Sequence, residues 1–206
     1  MTALAVTAAT NFALSGEALI LAILTAKTTR TRYSAAWYFA GVLAFLGAAA
    51  FLGGIDHGFL EPGNLPRYWV QRSTWILLGA TTFCLLMTTA KQFFPAPWQN
   101  KVAVLALIQF AVNIVVVLRI DSFLDVILNY APVMILFLVL NVMKSTGSWQ
   151  MIVGLLVQSG ASAIQALGVD NFSPLDHNGL YHVISMVAVL FLYWGGRRLS
   201  TSRTIS

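Results

Sequence analysis

Three histidines in this sequence, His57, His177 and His182, are the side chains best suited to bind a metal ion. Zinc is commonly held by imidazole nitrogens and carboxylate oxygens, and a catalytic zinc site keeps one position open for water. The metal lowers the pKa of that water toward about 7, so that a nearby carboxylate can take its proton. Asp56 and Asp125 are the candidates for this base. Together these residues predict a zinc-dependent hydrolytic site.

The spacing of the two later histidines limits how they can share one ion. Positions five apart on an ideal helix differ in direction by about 140°, so both rings reach the same ion only if His177 lies in the capping turn. The stretch 173–179 reads Ser-Pro-Leu-Asp-His-Asn-Gly and is typical of a helix start, which favours that arrangement. Asn178 and His182 are four apart and share a face. The alternative interpretation is that the histidines are interfacial groups bonded to neighbours or to water.

Further polar residues recur at helical spacing. Asp121, Asp125 and Asn129 are four apart and form a stripe on one helix face. Glu17 lies roughly 18 Å from the start of its helix, near the bilayer midplane, where an ionised carboxylate is strongly disfavoured unless it is paired or protonated. With Asn178, these residues predict a polar, negatively biased cavity. The amide and hydroxyl side chains of the fourth and sixth helices are more typical of hydrogen bonds between helices.

Composition places these residues in a membrane protein. Of 206 residues, 58% are hydrophobic and 9% charged, with a mean hydropathy of +0.78, whereas soluble domains carry roughly 25% charged residues. Apolar runs of about 20 residues predict transmembrane helices, and the sequence contains seven: 4–26, 35–58, 68–90, 101–119, 122–143, 148–169 and 176–196. Short connections favour an all-α fold with a single bundle domain over residues 1–206. Nucleic-acid-binding proteins, soluble α/β enzymes and secreted disulfide scaffolds are excluded, and the lone Cys84 is expected to be an apolar filler.

The charges predict the orientation of the bundle. The net charge is +5, and basic residues favour the cytoplasmic side of a membrane. An outer N-terminus and a cytoplasmic C-terminus place nine of the twelve basic residues inside: Lys27, Arg30, Arg32, Lys91, Lys101, Lys144, Arg197, Arg198 and Arg203. The same orientation places the three histidines and six acids at the outer end: Asp56, Glu61, Asp121, Asp125, Asp170 and Asp176. We expect a multi-pass protein of the plasma (inner) membrane, with its chemistry at the outer face.

The histidine positions resemble a known family. Seven helices, an outer N-terminus, a histidine closing the second helix and a histidine-bearing motif opening the seventh resemble the CREST superfamily, which includes alkaline ceramidases, adiponectin-type receptors and Per1-like proteins. The resemblance implies zinc held between the second and seventh helices and hydrolysis of a lipid amide or ester. His57 and His182 match the pattern of the family.

Other positions depart from that pattern. Gly53 stands where the family has a serine, and the stretch 68–73 offers no carboxylate where the family has an aspartate. Asn178 occupies the place of the first histidine of the seventh helix, with His177 beside it. The groups that stabilise an oxyanion and orient water in the family are therefore missing, so either Asp56 or Asp125 replaces them or the protein does not hydrolyse amides.

Three functions follow from these residues as alternatives. The first is an intramembrane zinc hydrolase that acts on a lipid amide or ester. The second is a receptor or binding protein that uses the same cavity for a lipid or small ligand without turnover. The third is a proton-coupled carrier or redox protein, suggested by Glu17 and by the possibility that His57 and His182 ligate a haem. A retinal protein is disfavoured because the seventh helix has no lysine for a Schiff base.

Overall fold

The computed structural model describes residues 3–29, 31–60, 64–144, 148–170 and 172–199, which form an all-α fold of seven helices. All seven are long and apolar enough to cross a membrane. Each predicted segment corresponds to one helix, so the predicted number of helices is confirmed. Their bounds are α1 Ala3–Thr28, α2 Ala35–Phe59, α3 Leu65–Phe93, α4 Ala96–Arg119, α5 Phe123–Met143, α6 Trp149–Leu167 and α7 His177–Gly196.

Two helices begin earlier than predicted because proline is tolerated in a first turn. The sequence places the starts of α3 and α4 at residues 68 and 101, after their proline clusters, but the helices begin at Leu65 and Ala96. Both have a proline at the first or second helical position, where the missing N–H would have no partner within the helix. The Asn64 side chain also caps α3 by accepting a hydrogen bond from the Arg67 N–H.

The helices form one continuous set of contacts. α1 packs against α2 and α7, α3 against α2, α4 and α5, and α6 against α5 and α7. Close approach of α6 and α7 depends on Gly195, because a Cβ there would lie 2.7 Å from the backbone nitrogen of Met151. Buried apolar side chains from all seven helices or their ends fill the interior, with Leu14, Phe39 and Phe137 almost fully enclosed.

Side chains on the outside of the bundle match a lipid environment. α4 exposes a broad apolar surface that includes Val104, Leu105, Ile108, Val112 and Val115. Five tryptophans lie at or near helix ends with their side chains exposed, as in the aromatic belts of membrane proteins: Trp37, Trp69, Trp98, Trp149 and Trp194. The sixth, Trp75, is buried.

Candidate functional site

A polar cavity of about 330 Å³ lies at the end of the bundle where α2 finishes and α3 and α7 begin, which we term the site end. Its wall is built from six helices, all but α4. The polar side chains that line it are Asn11, Asp56, His57, Arg67, Gln71, Thr74, Gln165, His177, Asn178, Tyr181 and His182. The structure thus brings the three predicted histidines to one cavity, together with Asp56 and Asn178.

His57 lies in the last turn of α2 and faces the cavity. Its Nδ1 atom is buried and has no hydrogen-bond partner among the described residues. Buried polar atoms in proteins are nearly always hydrogen-bonded, and the loss of such a bond costs roughly 1–3 kcal/mol. His57 therefore offers an unused buried ring nitrogen at the wall of the cavity.

His182 is held by α1. Its Nδ1 atom lies 3.2 Å from the Thr10 hydroxyl. When that hydroxyl donates its only proton to the carbonyl oxygen of Thr7, 3.0 Å away, His182 Nδ1 is the donor in the contact with Thr10. In the neutral ring Nε2 then bears the lone pair. His182 is buried and lines the cavity, so this nitrogen is an acceptor at a fixed position.

The start of α7 is fixed by its capping residue. The Asp176 carboxylate accepts hydrogen bonds from the Gly179 N–H and from the Thr7 hydroxyl, both at 2.7 Å. Asp176 is therefore the N-cap of α7, and His177 is its first helical residue, in the capping turn as predicted. The bond to Thr7 also joins α7 to α1. His182 also joins α7 to α1, through its contact with Thr10, so the cap helps to position its ring.

His177 is fully engaged by neighbouring residues. Its ring Nδ1 and its backbone N–H both donate to the Asp170 carboxylate at 2.7 Å. The Asn178 amide donates to Nε2 at 3.2 Å and accepts from Gln165 at 3.0 Å. The hydrogen bonds from the ring and backbone of His177 lower the pKa of the Asp170 carboxyl below its ordinary value. His177 thus belongs to a chain of hydrogen bonds that links the α6–α7 connection to α7.

Asp56, one of the two candidate bases, is tied to a cation. Arg67 donates to its two carboxylate oxygens through Nε at 3.0 Å and Nη2 at 3.5 Å. Asp56 is buried, and the pair joins the end of α2 to the start of α3. Among the described lining residues other than the histidines, Asp56 is the one acidic residue and Arg67 the one basic residue. Among the lining residues with a described position, the charge of Arg67 balances that of Asp56, so they do not give the wall the predicted negative bias.

The predicted stripe on α5 does not line the cavity. Asp121 is exposed and pairs at 3.0 Å with buried Arg72, whose guanidinium also stacks against Trp75. Asn129 accepts a hydrogen bond from Gln109 at 2.6 Å and so joins α5 to α4. Asp125 lies in the first turn of α5, and its buried Oδ2 has no hydrogen-bond partner within the described ranges. The three residues of the stripe have different neighbours, so the common site predicted from their helical spacing does not form.

The sequence analysis placed Glu17 in the polar cavity and Glu61 at the outer end of the bundle. Glu17 is half-buried in the middle of α1 and is absent from the described lining of the cavity. Glu61 lies outside the described residues. Glu17 therefore adds no carboxylate to the described wall of the polar cavity.

The zinc site predicted from the histidines lacks a complete set of ligands. Among residues with a described position, no group of three or more histidine, cysteine, aspartate or glutamate side chains is placed to hold a metal ion. His177 already uses both ring nitrogens, and Asp56 is paired with Arg67. His57 Nδ1 and His182 Nε2 are ring nitrogens for which no described residue serves as the partner. These two nitrogens alone do not make the predicted three-histidine site, and zinc stays a prediction.

Sequence reasoning missed the residues that α1 contributes. Asn11 lines the cavity, and a Cβ added at Gly53 would lie 2.9 Å from its Oδ1 atom. The Asn11 side chain thus occupies the space beside Gly53, the position at which the resembled family has a serine. Thr7 and Asn11 are four apart on α1, and this spacing was the one feature of the sequence that could have indicated a polar face on α1. Nothing in their spacing indicates that α7 is the partner of this face.

Comparison with known proteins adds a family but no function. A family model described as a family of unknown function, DUF6962, matches residues 6–201. No curated protein and no solved structure matches the chain. None of these comparisons connects it with the CREST superfamily, so that resemblance stays a prediction. Since the match extends from the first turns of α1 to just beyond α7, the chain belongs to the DUF6962 family.

Proposed function

We propose that this protein is a membrane binding protein or receptor that holds the oxygen-rich head of a lipid-like ligand in the polar cavity. The observation that carries the proposal is the set of unused hydrogen-bonding atoms at the wall. His57 Nδ1 has no partner among the described residues, and Arg67 has an Nη1 group that its pair with Asp56 does not use. A carboxylate head would accept hydrogen bonds from His57 and Arg67.

The lower wall of the cavity supports a ligand with an apolar chain. Leu14, Leu46 and Leu78 line the cavity on the side toward the bundle centre. Ligand sites are typically apolar with a few polar groups that fix orientation, and this cavity has its polar groups at one end. A fatty-acid-like amphiphile has a polar head that matches the polar end of the cavity and an apolar chain that matches the leucine-lined side.

The distribution of basic residues supports an outward-facing cavity. We place the N-terminus outside and the C-terminus in the cytoplasm of the plasma (inner) membrane, because most lysines and arginines then lie on the cytoplasmic side. The ligand would enter from the outer medium or from the outer leaflet.

Binding of stearate to purified protein in lipid nanodiscs tests this function. His57→Leu keeps a side chain of similar size but removes the ring nitrogen, and we expect it to weaken stearate binding about tenfold, the effect of one hydrogen bond to a charged group. Thr28→Val, at the opposite end of α1, is the matched control and should bind like the wild type. Equal affinity of the wild type and His57→Leu would contradict the proposal.

A second candidate function is zinc-dependent hydrolysis of a lipid amide or ester in the same cavity. It is favoured by the buried, unpartnered Nδ1 of His57 beside the lone pair of His182 Nε2, since both are potential metal ligands. The contact of His182 with Thr10 is also of the kind that orients a metal-binding imidazole. The pairing of Asp56 with Arg67 and the position of Asp125 away from the cavity make this candidate second.

Metal content and turnover separate the two candidates. Elemental analysis should find stoichiometric zinc in the wild type and none in the double variant His57→Ala, His182→Ala if the protein is a zinc hydrolase. Assays of lipid amides and esters, with metal-free protein as control, should then show turnover that depends on zinc. Binding of stearate without zinc and without turnover favours the first candidate.

A further inference from the structure

Glu17 is a carboxyl group without a partner in the middle of a membrane-spanning helix. At ~1.5 Å per residue, roughly 21 Å of α1 precedes it and roughly 16 Å follows it. Among the described residues, its side chain has neither an ion-pair partner nor a hydrogen-bond partner. A carboxyl group at this depth is costly in hydrocarbon unless it is paired or protonated. Glu17 therefore requires a partner that the described part of its own bundle does not supply.

Glu17 lies on the outer surface of α1. Residues three, four and seven positions away on a helix share a face, and those residues here are Ile20, Ala13 and Leu24. All three are exposed. Glu17 itself is half-buried and lines neither of the two cavities described inside the bundle. Its carboxyl group therefore borders the lipid rather than the interior.

The surface of α1 beside Glu17 consists of small residues. Ala9, Ala13 and Glu17 are four apart and form one ridge of the helix, on which both alanines are exposed. A Cβ added at the neighbouring Gly16 would meet nothing within 4 Å. We term the surface of Ala9, Ala13, Gly16 and Glu17 the α1 ridge. Small residues let membrane helices approach closely, so that a polar side chain can form a hydrogen bond across their interface.

The chemistry of a carboxyl group makes a second copy of this chain a suitable partner. Copies in one membrane share an orientation, so a two-fold axis along the membrane normal brings each residue to its counterpart at the same depth. A neutral carboxyl group both donates and accepts hydrogen bonds, so two Glu17 side chains can satisfy each other. A second copy could not provide an ion pair instead, because no described lysine or arginine lies at the middle of a helix.

We propose that the α1 ridge is the interface of a dimer of this chain, in which the two Glu17 carboxyl groups hydrogen-bond to each other. Pairing removes two isolated carboxyl groups from contact with lipid. The inference is independent of the proposed function, because Glu17 is absent from the described lining of the polar cavity. The broad exposed surface of α4 is apolar and stays in contact with lipid.

Energy transfer between labelled copies in liposomes tests the dimer. Full-length protein carries a donor or an acceptor at its C-terminus, and the ratio of protein to lipid is varied. We expect Glu17→Leu to weaken dimerisation about tenfold, the effect of one hydrogen bond between membrane helices. Glu17→Gln should dimerise like the wild type, because an amide also donates and accepts. Leu105→Ala, on the exposed face of α4, is the control and should change nothing.

Disulfide cross-linking locates the interface. In a Cys84→Ala background, Ala13→Cys should form a disulfide between copies when copper phenanthroline oxidises the two thiols, whereas Leu105→Cys should not. The cross-linking protein keeps Glu17, so this result does not depend on how the Glu17 variants fold. A monomeric wild type, dimerisation that survives Glu17→Leu or is lost in Glu17→Gln, or cross-links through α4 alone would overturn the interface.

Discussion

Individual side chains at the site end illustrate which interactions a sequence predicts. The three histidines and Asn178 were predicted to lie together, and they do line one cavity. Their hydrogen-bond partners were harder to predict, because Thr10 lies 172 residues from His182 in sequence and no local pattern pairs them. Asp56 was predicted as a base, but its carboxylate is paired with Arg67, a contact that the sequence analysis did not predict.

The contact between Asp170 and His177 predicts a pH dependence. A carboxyl group whose pKa is lowered in the folded protein stabilises it above the unfolded pKa, and this stabilisation is lost as the pH falls through the folded pKa. The pKa of Asp170 lies below its ordinary value of 3.8, so its contribution to stability is present above that pH and disappears below it.

Asp170→Asn isolates this effect. The thermal midpoint of the purified wild-type protein should fall as the pH drops below about 4, and the variant should show a shallower fall over the same range. The comparison between the two proteins removes the contribution of the other carboxyl groups. Parallel pH profiles would show that the contact does not stabilise the α6–α7 connection.

The positions of whole helices were predicted more accurately than the residues that contact their polar side chains. Hydrophobic runs located all seven helices, and the largest boundary errors are at the starts of α3 and α4 and at the end of α3. The α5 stripe failed as a site prediction because Asp121 lies before Phe123, where α5 begins, and so does not share a helical face with Asp125 and Asn129. Helical spacing also does not indicate which helix packs against a face. Asn129 meets α4, whereas Asp121 meets Arg72 of α3.

The packing of α6 on α7 predicts opposite effects for two glycines. Gly195→Ala places a methyl group against the Met151 backbone, which cannot move as a side chain tip can, so we expect a lower thermal midpoint and a loss of about 1–3 kcal/mol. Gly160→Ala, on α6, meets nothing within 4 Å and should be neutral or stabilising, because alanine favours helix. Thermal unfolding in one detergent measures both. A Gly195→Ala protein as stable as Gly160→Ala would refute the close contact.

At the scale of the whole molecule, composition determined the class of protein. A chain with 58% hydrophobic and 9% charged residues forms seven apolar helices with an exposed apolar surface on α4. The balance of charge was less informative about the cavity, since most of the acids thought to line it lie elsewhere or pair with arginine. Ligand identity could not be predicted from composition, because it depends on unpartnered atoms that only the packed helices reveal.

Cysteine labelling of intact cells tests the orientation. In a Cys84→Ala background, Phe172→Cys in the exposed α6–α7 connection should react with a membrane-impermeant maleimide added outside the cells. Thr31→Cys, in the exposed α1–α2 connection, should react only after the cells are permeabilised. The reverse pattern would place the cavity at the cytoplasmic face.

Photo-crosslinking of a ligand tests the central claim, that the polar cavity binds a lipid head, most directly. A stearate analogue with a diazirine beside its carboxyl group is irradiated with the protein in nanodiscs, and the labelled residues are located by mass spectrometry. We predict labels in 49–57 of α2 and 177–182 of α7, lost when excess stearate is present. Labels confined to the exposed face of α4, or labels that excess stearate does not displace, would contradict the claim.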